Sequence, residues 1–277
     1  MAASGASAAD ALSAATDAFA AAGVDTPRLD AEVLLSELAG IDRATLVTDR
    51  ELALEPAAAR AFSEAVRRRI RREPVAYILG NRGFRHIDLT VDRRVLIPRP
   101  ETEMLVELAL EVDPGTVLEI GTGSGAIALA VADELPGSRV TATEVSDGAI
   151  EVAVANAARL GLGDRVGFEL GSLPDGPGEF DLILANLPYV PDSDGLPPEV
   201  GQWEPEGALF GGPDGTDVIA EVLTGFGRAG IEAPVIGLEI GQGQGEKVAE
   251  MVRQAGWPEA EIRLDLAGID RVVIGRR

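Results

Sequence analysis

Apolar and polar positions divide the chain into a helical stretch and a longer region of strand-like runs alternating with helical segments. Residues 8–73 read as helices. An Ala-rich segment, 9–22, stops at Gly23, and Thr26-Pro27 supplies an N-cap and first-turn proline for a helix to about Leu38, which Gly40 ends. Ile41-Asp42-Arg43 opens a short segment, and a longer helix runs from Pro56 to Arg72, ending before Pro74. Within 77–96, Phe84, Ile87, Leu89 and Val91 alternate as in a hairpin. After Pro98-Arg99-Pro100, apolar residues from Glu101 to Leu110 return to helical spacing. Strands are then expected near 116–120, 139–143, 165–169, 180–185, 234–240, 261–265 and 271–275, and helices near 125–135, 147–160, 215–229 and 244–255. Such alternation builds an α/β fold with a mostly parallel, doubly wound sheet. The Pro/Gly/Asp-rich stretch 190–217 is a long loop after the fourth strand, a common position for a substrate site.

Composition narrows the chemistry. The 277 residues are 46% hydrophobic, enough for a sizeable core. There is no cysteine, so disulfides, thiolate metal sites and a Cys nucleophile are excluded. His86 is the only histidine, which removes Ser-His and multi-His sites; in the linking hairpin it is expected to be a hydrogen-bonded structural residue. No apolar run approaches the roughly 18 residues a membrane span needs. The start, Met1 to Asp10, lacks a basic n-region and apolar core, so a soluble cytoplasmic protein without membrane contact is expected. The formal charge is −22, most of it beyond Asp92, whereas nucleic-acid enzymes usually carry a basic footprint. The local exception is Arg67, Arg68, Arg69, Arg71 and Arg72, read first as a solvated helix face and second as a patch for an acidic or RNA-associated partner.

The chemistry sits at two strand ends. Glu119-Ile120-Gly121-Thr122-Gly123-Ser124-Gly125 follows a strand and precedes a helix, the context in which a glycine loop carries meaning. Its glycines permit a tight turn and let backbone amides approach a ligand. Glu144 ends the next strand, about twenty residues on, where an acid binds ribose hydroxyls. A dinucleotide loop has its last glycine further into the helix. This compressed form resembles the loop of S-adenosylmethionine (SAM) methyltransferases, which implies SAM as cofactor and places Glu119 near its methionine moiety.

The second strand end is Asn186-Leu187-Pro188-Tyr189, after the apolar run 180–185. An amide or aromatic amine is a poor nucleophile because its lone pair is delocalised, so an enzyme must hold both N–H groups and aim the nitrogen. Asn186 offers a side-chain carbonyl, Leu187 a backbone carbonyl and Tyr189 a flat face, while Pro188 stiffens the turn. Positioning then carries most of the work, and no strong base is needed.

These motifs, with Glu73-Pro-Val-Ala-Tyr-Ile-Leu-Gly80, Leu96-Ile-Pro-Arg-Pro-Glu-Thr-Glu103, Glu204-Pro-x-x-Ala-Leu209, Gly211-Gly-x-x-Gly215 and Gly268-Ile-Asp-Arg-Val-Val273, resemble the bacterial release factor glutamine methyltransferase (PrmC/HemK) family over nearly the full length. The resemblance implies a Rossmann-like class I SAM-dependent methyltransferase sheet with a small N-terminal helical domain. It implies methylation of the side-chain amide nitrogen (N5) of the glutamine in the Gly-Gly-Gln loop of peptide chain release factors. The expected organisation is a helical release-factor-binding domain over 1–75, a linking hairpin over 76–98 and the methyltransferase domain over 99–277. Residues 121–125, Glu119, Glu144, Leu173 and Asn186 would contact SAM, and Asn186, Leu187, Pro188 and Tyr189 would hold the glutamine. Two departures stand out: Leu187 replaces the second residue of the family's Asn-Pro-Pro-Tyr, and Leu173 lies where relatives often place an aromatic beside the adenine. Slower turnover and weaker SAM binding are the corresponding expectations. Arg99 and Glu204 either position the substrate loop or form a structural ion pair. The alternatives are an adenine-N6 nucleic-acid methyltransferase, which would need a basic surface and a base-flipping pocket, and a SAM-binding scaffold without catalysis. A monomer that makes no direct contact with DNA is expected.

Overall fold

The computed structural model describes residues 7–49 and 51–277; the first six residues, part of the polar start read above, lie outside them. The chain divides into two compact units, one up to Gly80 together with Pro197–Trp203, the other Asn81–Leu196 with Glu204–Arg277.

The first unit is helical. Helix α1 (Ala8–Ala21) starts in a capping box, in which the Ser7 hydroxyl accepts from the Asp10 amide and the Asp10 carboxylate accepts from that of Ser7. Helix α2 (Pro27–Ala39) opens on proline and closes at left-handed Gly40. Thr26 does not cap it through its side chain; its hydroxyl donates to Asp30 at 2.7 Å. Helix α3 (Arg43–Thr48) is capped by Asp42 and α4 (Pro56–Ile70) by no side chain. Helix α5 (Val75–Leu79) corrects the start of the expected hairpin: Pro74 precedes it and left-handed Gly80 (φ 77°) ends it, so Tyr77 is helical. Leu12, Phe19, Leu34, Leu35, Leu46 and Phe62 form the core.

The arginine run is divided: Arg67 and Arg71 are exposed, as the solvated-face reading expects, whereas Arg68, Arg69 and Arg72 are drawn into ion pairs. Buried Arg69 donates to Asp30 (2.7 Å) and to Glu199 (2.9 Å) of the short helix α9 (Pro198–Gly201). Arg72 grips both oxygens of Glu199, and Arg68 both oxygens of Glu73. Only partnered charges survive such burial without large cost.

The second unit begins with the hairpin β1 (Asn81–Phe84) and β2 (Ile87–Thr90). His86, at its turn, is exposed rather than structural, with Nε2 3.8 Å from Glu134. A 3-10 turn, Pro100–Thr102, leads into α6 (Glu103–Val112). The alternating elements follow: β3 (Thr116–Ile120), α7 (Ala126–Glu134), β4 (Arg139–Glu144), α8 (Asp147–Leu160), β5 (Val166–Leu170), the two-residue β6 (Gly178–Glu179), β7 (Leu182–Asn186), α10 (Asp217–Ala229), β8 (Ile231–Glu232), β9 (Val235–Glu239), α11 (Gly245–Gln254), β10 (Glu259–Leu264) and β11 (Asp270–Arg276). Their central sheet has seven strands in the order β10-β11-β9-β7-β3-β4-β5. The five from β9 to β5 run parallel, while β11 lies antiparallel to β9 and β10 to β11. Strands β3, β7 and β9 read as nearly continuous apolar runs because both sheet faces are covered. From β3 the chain winds outward through β4 and β5, then returns to β7 on the other side. The resulting switch point lies between the ends of β3 and β7, the crevice where open α/β sheets bind ligands. Among the described residues no helix is long and apolar enough to cross a membrane.

Candidate active site

Strand β3 gives way to a loop in which Gly121, Gly123 and Gly125 all take left-handed backbone (φ 75°, 55° and 84°). The Gly121 and Thr122 amides both donate to the Thr143 carbonyl, at 2.9 and 3.0 Å, which stitches the loop to β4. A Cβ on Gly125 would stand 2.8 Å from Leu129 Cδ1, so this glycine serves the packing of α7. A Cβ on Gly123 would meet nothing within 4 Å; here the backbone borders open space. The Gly123 amide donates to Glu144 Oε2 and the Ser146 amide to Oε1, each at 3.0 Å, so two backbone donors brace this acid at the end of β4. Both oxygens retain lone-pair capacity for further donors.

Glu119 is buried, and its Oε2 accepts from the Thr122 hydroxyl (2.6 Å) and the Ala128 amide (3.1 Å). Burial pushes its carboxyl up to about 7, against these two hydrogen bonds. Asn156 of α8, fully buried, donates to the carbonyls of Ser124 and Thr90 (both 3.0 Å) and so fixes the loop's far side.

At the end of β7, Asn186 lies in register with Glu239 of β9. Its Nδ2 donates to Thr102 Oγ1 at 3.1 Å, which leaves the carbonyl Oδ1 as its acceptor. The Leu187 side chain joins the hydrophobic core, and its Cδ2 would be 3.4 Å from a Cβ on Gly121. The Tyr189 hydroxyl donates to Glu239 Oε1 at 3.2 Å, and the Tyr189 carbonyl accepts from Gln244 Nε2 at 2.9 Å. Glu239 is 2% exposed, and its Oε2 has no hydrogen-bond partner among the described residues. Burial lifts its carboxyl to about 7; the hydroxyls of Thr102 and Tyr189 oppose the rise, Glu101 adds to it and Arg271 opposes it. The Tyr189 phenol is also pushed up, first by burial and then by Glu239. Glu204 accepts from the Ile97 amide (3.0 Å) and pairs with Arg99, so the two residues are each other's partners and tie the segment 97–99 to the loop after β7.

A cavity of about 500 Å³ opens between these strand ends. Glu119, Gly121, Thr122, Gly123, Ser124, Glu144, Asn186, Leu187 and Pro188 line it, all named by the sequence. Gly125, Leu173 and Tyr189 do not. Leu173 packs on the core, where a Cβ on Gly225 of α10 would stand 2.7 Å from its Cδ1, while Gly171 and Ser172 form the wall beside it. Sequence reasoning missed the contribution of Val95, Leu96, Pro98 and Thr102 to the wall. The run 96–103 was singled out as a motif, but nothing in its residues says that it folds over the strand ends. Among the described residues no cluster is placed to hold a metal ion.

Comparison with known proteins identifies the family. The PrmC N-terminal domain family matches residues 10–80, and the methyltransferase domain family residues 117–197. The release factor glutamine methyltransferase of Moorella thermoacetica is 42% identical over 278 residues, covering 96% of this chain and 97% of that one. Its counterpart in Rhodopirellula baltica is 41% identical over 274 residues, covering 93% and 92%. Among solved structures, the hMettl16 catalytic domain in complex with MAT2A 3'UTR hairpin 1 superposes with a TM-score of 0.55 at 13% identity, covering 93% of this chain and 90% of that one, a likeness of fold alone. With full-length relatives at this identity and a class I methyltransferase fold, the chain belongs to the release factor glutamine methyltransferase family.

Proposed function

We propose that this enzyme transfers a methyl group from SAM to the side-chain amide nitrogen (N5) of the glutamine in the Gly-Gly-Gln loop of peptide chain release factors, acting in the cytoplasm as a monomer and without direct contact to DNA. The observation that carries the chemistry is the placement of Asn186, with its amide nitrogen already bonded to Thr102, on the wall of the same cavity as the glycine loop.

The cavity fits SAM. Its volume of about 500 Å³ lies within the usual range for a small-molecule site, the backbone at Gly123 leaves open space, and Glu144 stands braced at the rim. Residues 121–124 and Glu144 would hold the cofactor, Glu144 on hydroxyl groups and the loop backbone against its body. Bound there, SAM supplies an electrophilic methyl on a sulfonium.

The remaining work belongs to the chain. Asn186 Oδ1 and the Leu187 carbonyl accept the two amide protons of the substrate glutamine, which turns the nitrogen lone pair toward the cavity. Tyr189, pinned through its hydroxyl to Glu239 and through its carbonyl to Gln244, is held as a fixed face for the planar amide. Transfer to this nitrogen would form one C–N bond as the donor's C–S bond breaks, with the surplus proton on nitrogen leaving to solvent. Fixed acceptors spare the reaction the cost of orienting a flexible amide, and a displacement of about 1 Å can cost roughly 10²-fold in rate. The helical unit with residues 197–203 is assigned to binding the release factor.

Purified enzyme, labelled SAM and an unmodified release factor test this directly. A single added methyl on the Gly-Gly-Gln glutamine is expected by peptide mass spectrometry, with a loss of roughly 10²-fold or more in Asn186→Ala. Methyl incorporation into a DNA oligonucleotide but not into release factor would overturn the proposal.

A further inference from the structure

Glu239 is a buried carboxyl that none of the motifs includes, yet it meets both ends of the clamp. It faces Asn186 across the β7–β9 register. Its Oε1 takes the Tyr189 hydroxyl at 3.2 Å. The Thr102 hydroxyl bears on the same carboxylate and also accepts from Asn186 Nδ2 at 3.1 Å. Burying a carboxyl with one oxygen unpartnered is costly, and a site that served packing alone would do better with an apolar side chain.

Resting on the function proposed above, we infer that Glu239 is a positioning residue for amide methylation: in its ionised form it orients Thr102 and Tyr189, and through them the Asn186 carbonyl and the aromatic face that hold the glutamine. An ionised carboxylate only accepts. It draws the Thr102 hydroxyl proton toward itself and so turns that oxygen's lone pairs to Asn186 Nδ2, which fixes the amide with Oδ1 toward the cavity. It also accepts the hydrogen bond of the Tyr189 hydroxyl. A protonated Glu239 instead donates, and its proton competes with Asn186 Nδ2 for the Thr102 oxygen.

The groups facing Glu239 are Tyr189 after β7, Thr102 and Glu101 on the 3-10 turn and Arg271 on β11. Burial dominates among them, with Glu101 acting in the same direction, and brings the carboxyl to about 7. Turnover should therefore rise with pH through neutrality as Glu239 ionises. Glu239 is not on the cavity wall, so the effect belongs in kcat rather than in KM for SAM.

The test measures methyl transfer to purified release factor across about pH 5.5 to 9, with saturating SAM, for wild type and two variants. Wild type should show an acid limb near neutrality. Glu239→Gln keeps the volume but cannot ionise; it should lower kcat by roughly 10²-fold, leave KM for SAM within about threefold, and lose the limb. Thr102→Val removes a hydroxyl that holds the Glu239 carboxyl down, so its limb should move to higher pH. Transfer by wild type with an unchanged rate and profile in folded Glu239→Gln overturns the inference and leaves the function intact. Should that variant fail to fold, a limb unmoved in Thr102→Val overturns it. Wild type inert toward release factor at every pH overturns the function and the inference together.

Discussion

Slower turnover is the expectation attached to Leu187, and the structure shows how this residue is held. The side chain is 5% exposed, belongs to the core under the sheet end and lies against Gly121, so packing supplies the stiffness that a second ring would give. Leu187→Ala should therefore cost about 2–5 kcal/mol of stability, the usual range for emptying a buried leucine site. Denaturant unfolding would measure it, and a change below about 0.5 kcal/mol would mean that the side chain is not packed as described. Residue-scale placement was legible in the sequence wherever one residue sits at a fixed place on a strand end: Gly121 to Ser124, Glu144 and Asn186 all lie on the cavity wall. Thr102 and Glu239 were not legible, because their roles arise from the β7–β9 register and from a turn 84 residues before Asn186. Leu173 packs on the core instead of lining the cavity for a related reason: position along the chain says little about which way a loop side chain turns.

Elements were read from periodicity, and the reading succeeded where pattern and local stop signals agreed. The seven sheet strands and their helices lie within a few residues of expectation, most clearly β3, β7 and β9, whose nearly continuous apolar runs have few alternatives. The stretch around Tyr77 failed, since five residues between Pro74 and Gly80 are too few to show a period. The two-residue strands β6 and β8 were invisible for the same reason. At this scale the loop after β7 carries the most specific packing. A Cβ on Gly211 would stand 2.4 Å from the Pro188 carbonyl oxygen and one on Gly215 2.1 Å from that of Tyr189, where Gly215 also has φ 70°. The glycine motif thus presses on the backbone of the clamp itself. Gly215→Ala should push residues 188–189 out of line and lower transfer to release factor by roughly 10²-fold. SAM affinity should change far less, because Gly215 is not on the cavity wall. Binding calorimetry beside the methylation assay separates the two; equal losses in both would show that the motif supports the whole sheet end rather than the clamp.

On the scale of the whole molecule, two opposing sets of carboxyls decide how stability follows pH. Arg85 holds Glu134 below its ordinary value and Arg263 does the same for Glu111, so their contributions are present at neutral pH and fade as acid protonates them. Glu119 and Glu239 act in reverse. Burial raises both to about 7, so between the ordinary value of 4.5 and 7 the folded chain keeps protons that the unfolded chain has released. Their contribution is complete below 4.5 and is lost as pH rises through 7. The net charge of −22 adds self-repulsion in the same direction, but that part is screened within about 3 Å at 1 M salt. Melting temperature should therefore fall from about pH 5.5 to 8, and a good part of the fall should persist in 1 M salt, where only buried groups remain unscreened. Glu119→Gln combined with Glu239→Gln should flatten the residual slope. A slope that vanished in salt in the wild type would assign the whole effect to the surface. The same window is where Glu239 is proposed to gain the charge that organises the clamp, so rising turnover and falling stability should cross there. A carboxyl kept for packing has no reason to couple them, whereas one kept for positioning must give up stability as it becomes active.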